Sequence, residues 1–204
     1  MRFAYADPPY PGQAKRYYGN HPDYAGEVDH AALLTRLADE YPDGWALSTS
    51  GKALQSVLAL CPPDVEIGIW HVTNASHPGR GNQIWRTWEP VIFRGGRRDA
   101  SVIVRNLVTA AQPGAILGGT LRGQKPDVFC TWIFGMLGAR PADTLDDLFP
   151  GSGAVGRAWE SYIAAPTLAE KITSRWDQDP RYAASVMRRL ADPLFSTANC
   201  EDRR

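Results

Sequence analysis

Arg2-Phe3-Ala4-Tyr5-Ala6-Asp7-Pro8-Pro9-Tyr10 is the stretch from which the rest of this chain is read. The first five residues form an apolar run of strand length, and the last four close it with a carboxylate, two prolines and an aromatic ring. Proline holds its own φ near about −65° and pushes the preceding residue into extended geometry, so Asp7 and Pro8 cannot continue as helix. The strand therefore delivers a stiff set of groups to one edge of a sheet. Two acceptors, the Asp7 carboxylate and the Pro8 carbonyl, followed by the Tyr10 ring, suit the task of holding a planar base by its exocyclic amine. Such an amine is a poor nucleophile because its lone pair is delocalised into the ring. Acceptors on both of its hydrogens draw the nitrogen towards tetrahedral geometry. A strand followed by a proline-rich turn is the plainer alternative.

A second stretch, Asp143-Thr144-Leu145-Asp146-Asp147-Leu148-Phe149-Pro150-Gly151-Ser152-Gly153-Ala154-Val155, is an apolar and acidic run that breaks at Gly-Ser-Gly and passes into an apolar helix. Glycine there permits close approach of backbone to ligand, and the first turn of the following helix has free N–H groups. Between the two stretches, Gly123-Gln124-Lys125-Pro126 precedes a helical segment, where proline is also simply a good first-turn residue.

These three elements together resemble the amino methyltransferases that use S-adenosylmethionine, in which DPPY marks N6-adenine methylation. The family's cofactor loop is usually D-P-F-x-G-S-G; Asp147, Phe149, Gly151, Ser152 and Gly153 match it, with Leu148 in place of the proline. With DPPY first and the glycine loop last, the order resembles the permuted arrangement called the beta class, over residues 1 to about 160. The resemblance implies an α/β, Rossmann-like methyltransferase fold: a three-layer αβα sandwich on a mixed, mostly parallel sheet. It implies catalytic roles for Asp7, Pro8, Pro9 and Tyr10, and an S-adenosyl-L-methionine site framed by Lys125, Asp147, Phe149, Pro150, Gly151, Ser152 and Gly153. Transfer in this family is a direct in-line displacement, so no nucleophilic cysteine is expected. A base in a duplex has to be flipped out of its stack.

At 204 residues the chain is expected to form a single domain over 1–204, without a separate target-recognition domain. A hydrophobic content of 44%, with seven Trp and eight Tyr, marks a folded globule. No run approaches the about 18 apolar residues of a membrane span, and the first residues lack a secretory pattern, so no membrane partner and a cytoplasmic location are expected. Cys61, Cys130 and Cys200 lack metal-ligand spacing and read as structural thiols. With 22 basic against 22 acidic residues, bulk charge does not announce a nucleic-acid binder.

Local clusters carry that reading instead. Arg94-Gly95-Gly96-Arg97-Arg98 is the densest basic stretch, joined by Lys15-Arg16, Arg80 and Arg86; phosphate contact and a solvated loop both fit it. The segment after Tyr10 reads as a loop over the active site, with Tyr17, Tyr18 and Tyr24 as stacking surfaces or as packing for the loop itself. Tyr17, Tyr18, His71 and Arg97 are the candidate substrate-binding residues. His71 and His77 also suit ordinary surface positions, and where the family often has W-x-K this chain has Trp70-His71-Val72.

Periodicity predicts helices over 28–40, 52–60, 127–137 and 154–162, and strands at 45–49, 66–70 and 144–148. Residues 66–70 and 88–93 read as two antiparallel strands at the sheet edge. Residues 99–122 are ambiguous: 101–104 favours strand and 106–111 suits helix. They are too few for an independent recognition domain, so specificity is expected to be short, loop-encoded or supplied by a partner. The tail lacks the family's second strand with its ribose-binding acid, and two helices are expected at 168–176 and 180–190. DNA is favoured over RNA as the nucleic-acid partner, with a homodimer or partner subunit left open. RNA adenosine methylation, suggested by a likeness to the DPPW family, and a catalytically silent relative are the rival readings.

Overall fold

The structure, a computed structural model, describes residues 1–12, 26–77, 79, 84–98, 103–113 and 124–165. Tyr17, Tyr18, Tyr24 and the two expected tail helices lie outside the described residues. The chain divides into two units, Met1–Ile163 and Ala164–Arg204.

The described strands are β1 (Arg2–Ala6), β2 (Gly44–Ser48), β3 (Glu66–Val72), β4 (Trp88–Gly95), β5 (Leu107–Ala110) and β6 (Thr144–Asp147). They form one sheet in the order β5-β3-β4-β2-β1-β6. β1 runs parallel to both its neighbours, with Tyr5 opposite Ala46 of β2 and opposite Asp147 of β6. β4 alone runs against the rest, paired antiparallel to β2 and β3, while β5 lies parallel to β3. The fold is the expected mixed, mostly parallel sheet.

Helices cover both faces. They are α1 (His30–Glu40), α2 (Leu54–Leu58), α3 (Asp127–Met136) and α4 (Ala154–Ala164). Strand alternation sorts the core between them. Phe3 and Tyr5 of β1, Ala46 of β2 and Val91 and Phe93 of β4 pack with Phe129, Ile133 and Phe134 of α3 and Val155 and Trp159 of α4. Ala4, Ala6, Trp45, Leu47 and Ile92, the alternate residues of the same strands, pack with Leu33, Leu34 and Leu37 of α1 and Val57 of α2. β1 is buried from Phe3 to Ala6, as a strand covered on both faces must be. At the start of α1, Asp29 caps the helix by accepting from the Ala31 and Ala32 N–H groups at 3.0 Å each.

Two expectations are corrected. The antiparallel pair β3 and β4 is not at the sheet edge: β4 lies between β2 and β3, and β5 flanks β3 on its outer side. Residues 107–110 are strand rather than helix, because the backbone of Leu107-Val108-Thr109-Ala110 pairs with Ile69–Val72 and Val108 and Thr109 are β-branched.

At the amino ends of β1 and β6, Asp143 is buried and collects four hydrogen bonds. Its carboxylate accepts from Arg97 Nη1 and Nη2 at 2.7 and 2.9 Å, from the Arg140 backbone N–H at 2.8 Å and from the Met1 amino group at 2.8 Å. The Arg97 guanidinium, ahead of opposing burial, holds this carboxyl well below the usual carboxylate range. Since the folded value is depressed, its contribution to stability is present above the ordinary carboxylate pKa and fades as pH falls through the folded one. Asp143→Ala is expected to cost about 2–4 kcal/mol, because it removes the buried carboxylate that the Arg97 guanidinium holds with two nitrogens. Thermal melts should show this loss at neutral pH, with the gap to wild type narrowing in acid below about pH 4.

Candidate active site

The carboxyl ends of β1, β2, β3 and β6 point to one edge of the sheet, and the reversed β4 brings its amino end there. This is the edge at which open α/β sheets offer a crevice. Asp7 follows β1 directly, with its side chain 22% exposed and Pro8 beside it buried. Glu89 enters from β4 opposite Trp70 of β3. Lys125 arrives from the segment that opens α3, and its side chain is only 5% exposed.

These groups meet. Lys125 Nζ is 3.3 Å from Asp7 Oδ2 and donates to Glu89 Oε2 at 3.3 Å. The Tyr10 hydroxyl donates to the same Glu89 oxygen at 2.9 Å. The Trp70 and Phe129 rings lie 5.2 and 5.5 Å from the ammonium, within cation–π range. Burial opposes the Lys125 charge, but Asp7, Tyr5 and Glu89 outweigh it and hold its pKa above the ordinary lysine value. Asp7 shows the mirror effect: burial raises its pKa, Lys125 opposes the rise and Glu89 adds to it. Oδ2 of Asp7 is engaged by Lys125, Oδ1 has no partner among the described residues, and the side chain is 22% exposed. Beneath, the Tyr5 hydroxyl, fully buried, shares a 2.8 Å hydrogen bond with Ser48.

The glycine-rich loop begins one strand away. Tyr5 and Asp147 are paired across β1 and β6, and the Leu148 N–H donates to the Tyr5 carbonyl at 2.9 Å. Asp7 and Asp147 are thus neighbours at the ends of adjacent strands. Burial pushes Asp147 up to about 6; the Phe149 N–H, donating at 3.2 Å, pulls the other way and Asp7 raises it further. Gly151 and Gly153 have φ of 45° and 71°, a region glycine enters freely and other residues rarely. The Gly153 N–H donates to the Pro150 carbonyl at 2.7 Å, closing the loop just ahead of α4. Arg157 on the first turns of α4 donates to the Ser152 carbonyl at 2.8 Å.

The structure thus brings together Asp7, Pro8, Pro9, Tyr10 and Lys125, and sets Asp147, Phe149, Pro150, Gly151, Ser152 and Gly153 on the adjoining strand end. It engages Lys125 with two carboxylates, a bond the motif alone does not reveal. His71 lies half-buried on β3 opposite Trp88 of β4. Arg97 is at the far end of the sheet, bound to Asp143, away from the site it was expected to serve. Tyr17 and Tyr18 lie outside the described residues. Glu89 was not singled out from sequence. Its signal is a lone carboxylate in the strand Trp88-Glu89-Pro90-Val91-Ile92-Phe93, where every other residue is apolar.

The architecture is that of a Rossmann-like methyltransferase fold. Among solved structures it is similar to M1.HpyAVI in complex with SAM, with a TM-score of 0.55 at 14% identity over 80% of this chain and 78% of that one. It is similar also to M1.HpyAVI alone, with a TM-score of 0.53 at 13% identity over 79% and 76% of the two chains. At such identities the likeness establishes the fold. No protein-family model matches the sequence, and no curated protein does.

Removing the shared cation isolates the two carboxylates. Lys125→Met is expected to lower stability by about 2–4 kcal/mol near neutral pH, since Asp7 and Glu89 then face each other without a counter-charge. In that variant burial and Glu89 raise the Asp7 pKa without opposition from Lys125, so stability is retained in acid and lost as pH increases. Urea denaturation should therefore find a larger deficit at pH 8 than at pH 4.5; an equal deficit at both would refute the charge argument.

Proposed function

We propose that this chain transfers a methyl group from S-adenosylmethionine to the N6 amine of adenine in DNA. The observation that carries the reading is Asp7 at the carboxyl end of β1: a carboxylate with one oxygen held by Lys125 and the other free of described partners, followed by a buried proline and a tyrosine. The order of the motifs, DPPY first and the glycine loop last, supports the permuted arrangement. The likeness of the fold to M1.HpyAVI, solved with SAM, supports the cofactor.

The residues present fit that cofactor. Two positive-φ glycines leave the loop after β6 without side chains where a ligand would approach, and the loop leads into the amino end of α4. Asp147 is a carboxylate whose burial disfavours its charge, with a single backbone N–H to compensate among the described residues. In this reading Asp147 and the 149–153 loop hold the cofactor, which supplies an electrophilic methyl group when bound. Asp7 and the Pro8 carbonyl accept the two amine hydrogens and orient the nitrogen lone pair towards that group. Asp7 Oδ1 is the oxygen placed to take the proton the amine gives up. Tyr10, fixed through its hydroxyl by Glu89, offers its ring to the base. Lys125 keeps Asp7 in its acceptor form.

Two outcomes test this reading. Asp7→Ala should abolish methyl transfer to adenine-containing DNA, read by nucleoside mass spectrometry, while S-adenosylhomocysteine still binds in calorimetric titration. Unchanged turnover would sink the mechanism, and transfer to matched RNA but not DNA would move the substrate to RNA. Asp147→Asn should stabilise the ligand-free protein near pH 7.5 by about 1–2 kcal/mol, allowing for partial exposure, because a pKa raised to about 6 costs stability as pH climbs past the ordinary carboxylate value. The gain should vanish by about pH 4, and the same variant should bind the cofactor more weakly.

A further inference from the structure

Outside the Asp7 cluster, the described residue group with the strongest chemical character is a cleft of about 360 Å³ lined by Gly51, Lys52, Ile84, Trp85, Arg86 and Trp88. It sits at the same edge of the sheet as Asp7. Gly51 follows the carboxyl end of β2, and Trp88 is the residue before Glu89 on β4. Because strand residues alternate, Trp88 and Glu89 project to opposite faces, so the cleft and the Glu89 cluster flank the sheet edge from two sides.

Two tryptophans stand open here, Trp85 at 54% and Trp88 at 42% exposure. Neither is loose. The Trp85 indole N–H donates to the Ala75 carbonyl at 3.3 Å, and its ring contacts that of His77 at 5.3 Å between centroids. Trp88 lies over Gly51 so closely that a Cβ added there would come within 3.2 Å of its ring. Aromatic faces held in place while open to solvent are ready stacking platforms, since the ordering that binding requires is already done. Lys52 and Arg86 add positive charge at the rim, and neither forms an ion pair with a described residue. Planar apolar faces rimmed by cations match a ligand that is planar and anionic.

We propose that this cleft is a subsite for an unpaired nucleobase and its adjoining phosphate, a second nucleotide of the DNA strand beside the one presented to Asp7. Trp85 and Trp88 stack on the base, and Lys52 and Arg86 meet the phosphate. The assignment rests on the proposed nucleic-acid substrate and adds to it a contact that grips the strand without touching the reacting amine.

The test is fluorescence anisotropy with a labelled single-stranded 16-mer and with the same oligomer made abasic, run on wild type, Trp85→Ala, Trp85→Phe, Arg86→Gln and Asp7→Ala. Trp85→Ala is expected to weaken binding to the intact oligomer on the order of tenfold, with little further loss on the abasic one. Trp85→Phe should keep most of the affinity, and the loss in Arg86→Gln should shrink as salt is added. Equal affinity of Trp85→Ala and wild type overturns the subsite, as does an equal loss on both oligomers. Should Trp85→Ala not fold, Trp88→Ala on the same two oligomers carries the contrast, with a loss confined to the intact one expected and an equal loss on both overturning the subsite. Asp7→Ala separates the two proposals: whatever affinity Asp7 itself contributes, adding Trp85→Ala to it should weaken binding by the same factor as in wild type. A wild-type protein that grips the oligomer through Trp85 yet methylates nothing refutes the enzyme and leaves the subsite. One that methylates while its Trp85→Ala variant binds and turns over unchanged refutes the subsite and leaves the enzyme.

Discussion

A lysine ammonium only 5% exposed is tolerable in a protein only if its surroundings replace water, and Lys125 is the point at which this fold meets that demand. Two carboxylates and two aromatic rings surround it, each from a different part of the chain: Asp7 after β1, Glu89 on β4, Trp70 on β3 and Phe129 on α3. None of these ends can shift far without exposing or stranding the charge. The arrangement of the site is thereby tied to the arrangement of the sheet, because the ion pairs form only if β1, β3 and β4 end where they do. The rigidity of Asp7-Pro8-Pro9 acts in the same direction, fixing the carboxylate by backbone geometry as Lys125 fixes it by charge.

The reversal of β4 is what makes this possible. A fully parallel sheet would present only strand carboxyl ends at the crevice, whereas an antiparallel strand there contributes its amino end. Here that end carries Trp88 and Glu89, projecting to opposite faces: one joins the Lys125 cluster and the other forms a wall of the tryptophan cleft. One strand end therefore serves two sides of the edge. At the other end of the sheet the same logic is used for stability alone, where Asp143 gathers Arg97 and the start of β1 into a buried network.

What the sequence makes legible follows the range of the forces involved. β1, β2, β3, β6, α1, α3 and α4 announce themselves by local periodicity, by the proline that precedes α3 and by the glycines before α4. β5 does not, since Leu107-Val108-Thr109-Ala110 is strand only by virtue of its pairing with β3. The DPPY and glycine-loop stretches suggest that Asp7 and Asp147 share a site, and the parallel pairing of β1 with β6 does set them side by side. Glu89 was not read because its partners Tyr10 and Lys125 are remote in sequence and meet it only once β4 is inserted against the grain. Arg97 misled for the opposite reason. A run of arginines and glycines looks the same in sequence whether it faces a phosphate or, as here, a buried aspartate.

The charge balance of the site bears on what it is built to receive. Asp7, Glu89 and Asp147 are three carboxylates at one sheet edge, and Lys125 is the cation that pairs with the first two. Among the described residues Asp147 has only a backbone N–H for its charge, and burial pushes its pKa up to about 6. A protein that needed only a folded edge would gain by replacing it with a neutral residue. Retaining an undercompensated carboxylate makes physical sense where a positively charged or hydroxyl-bearing ligand relieves it, and a sulfonium cofactor with a ribose offers both. The negative charge near Asp147 and the cationic rim at Lys52 and Arg86 divide the edge by sign; under the proposed function the first meets the methyl donor and the second the phosphates of its acceptor.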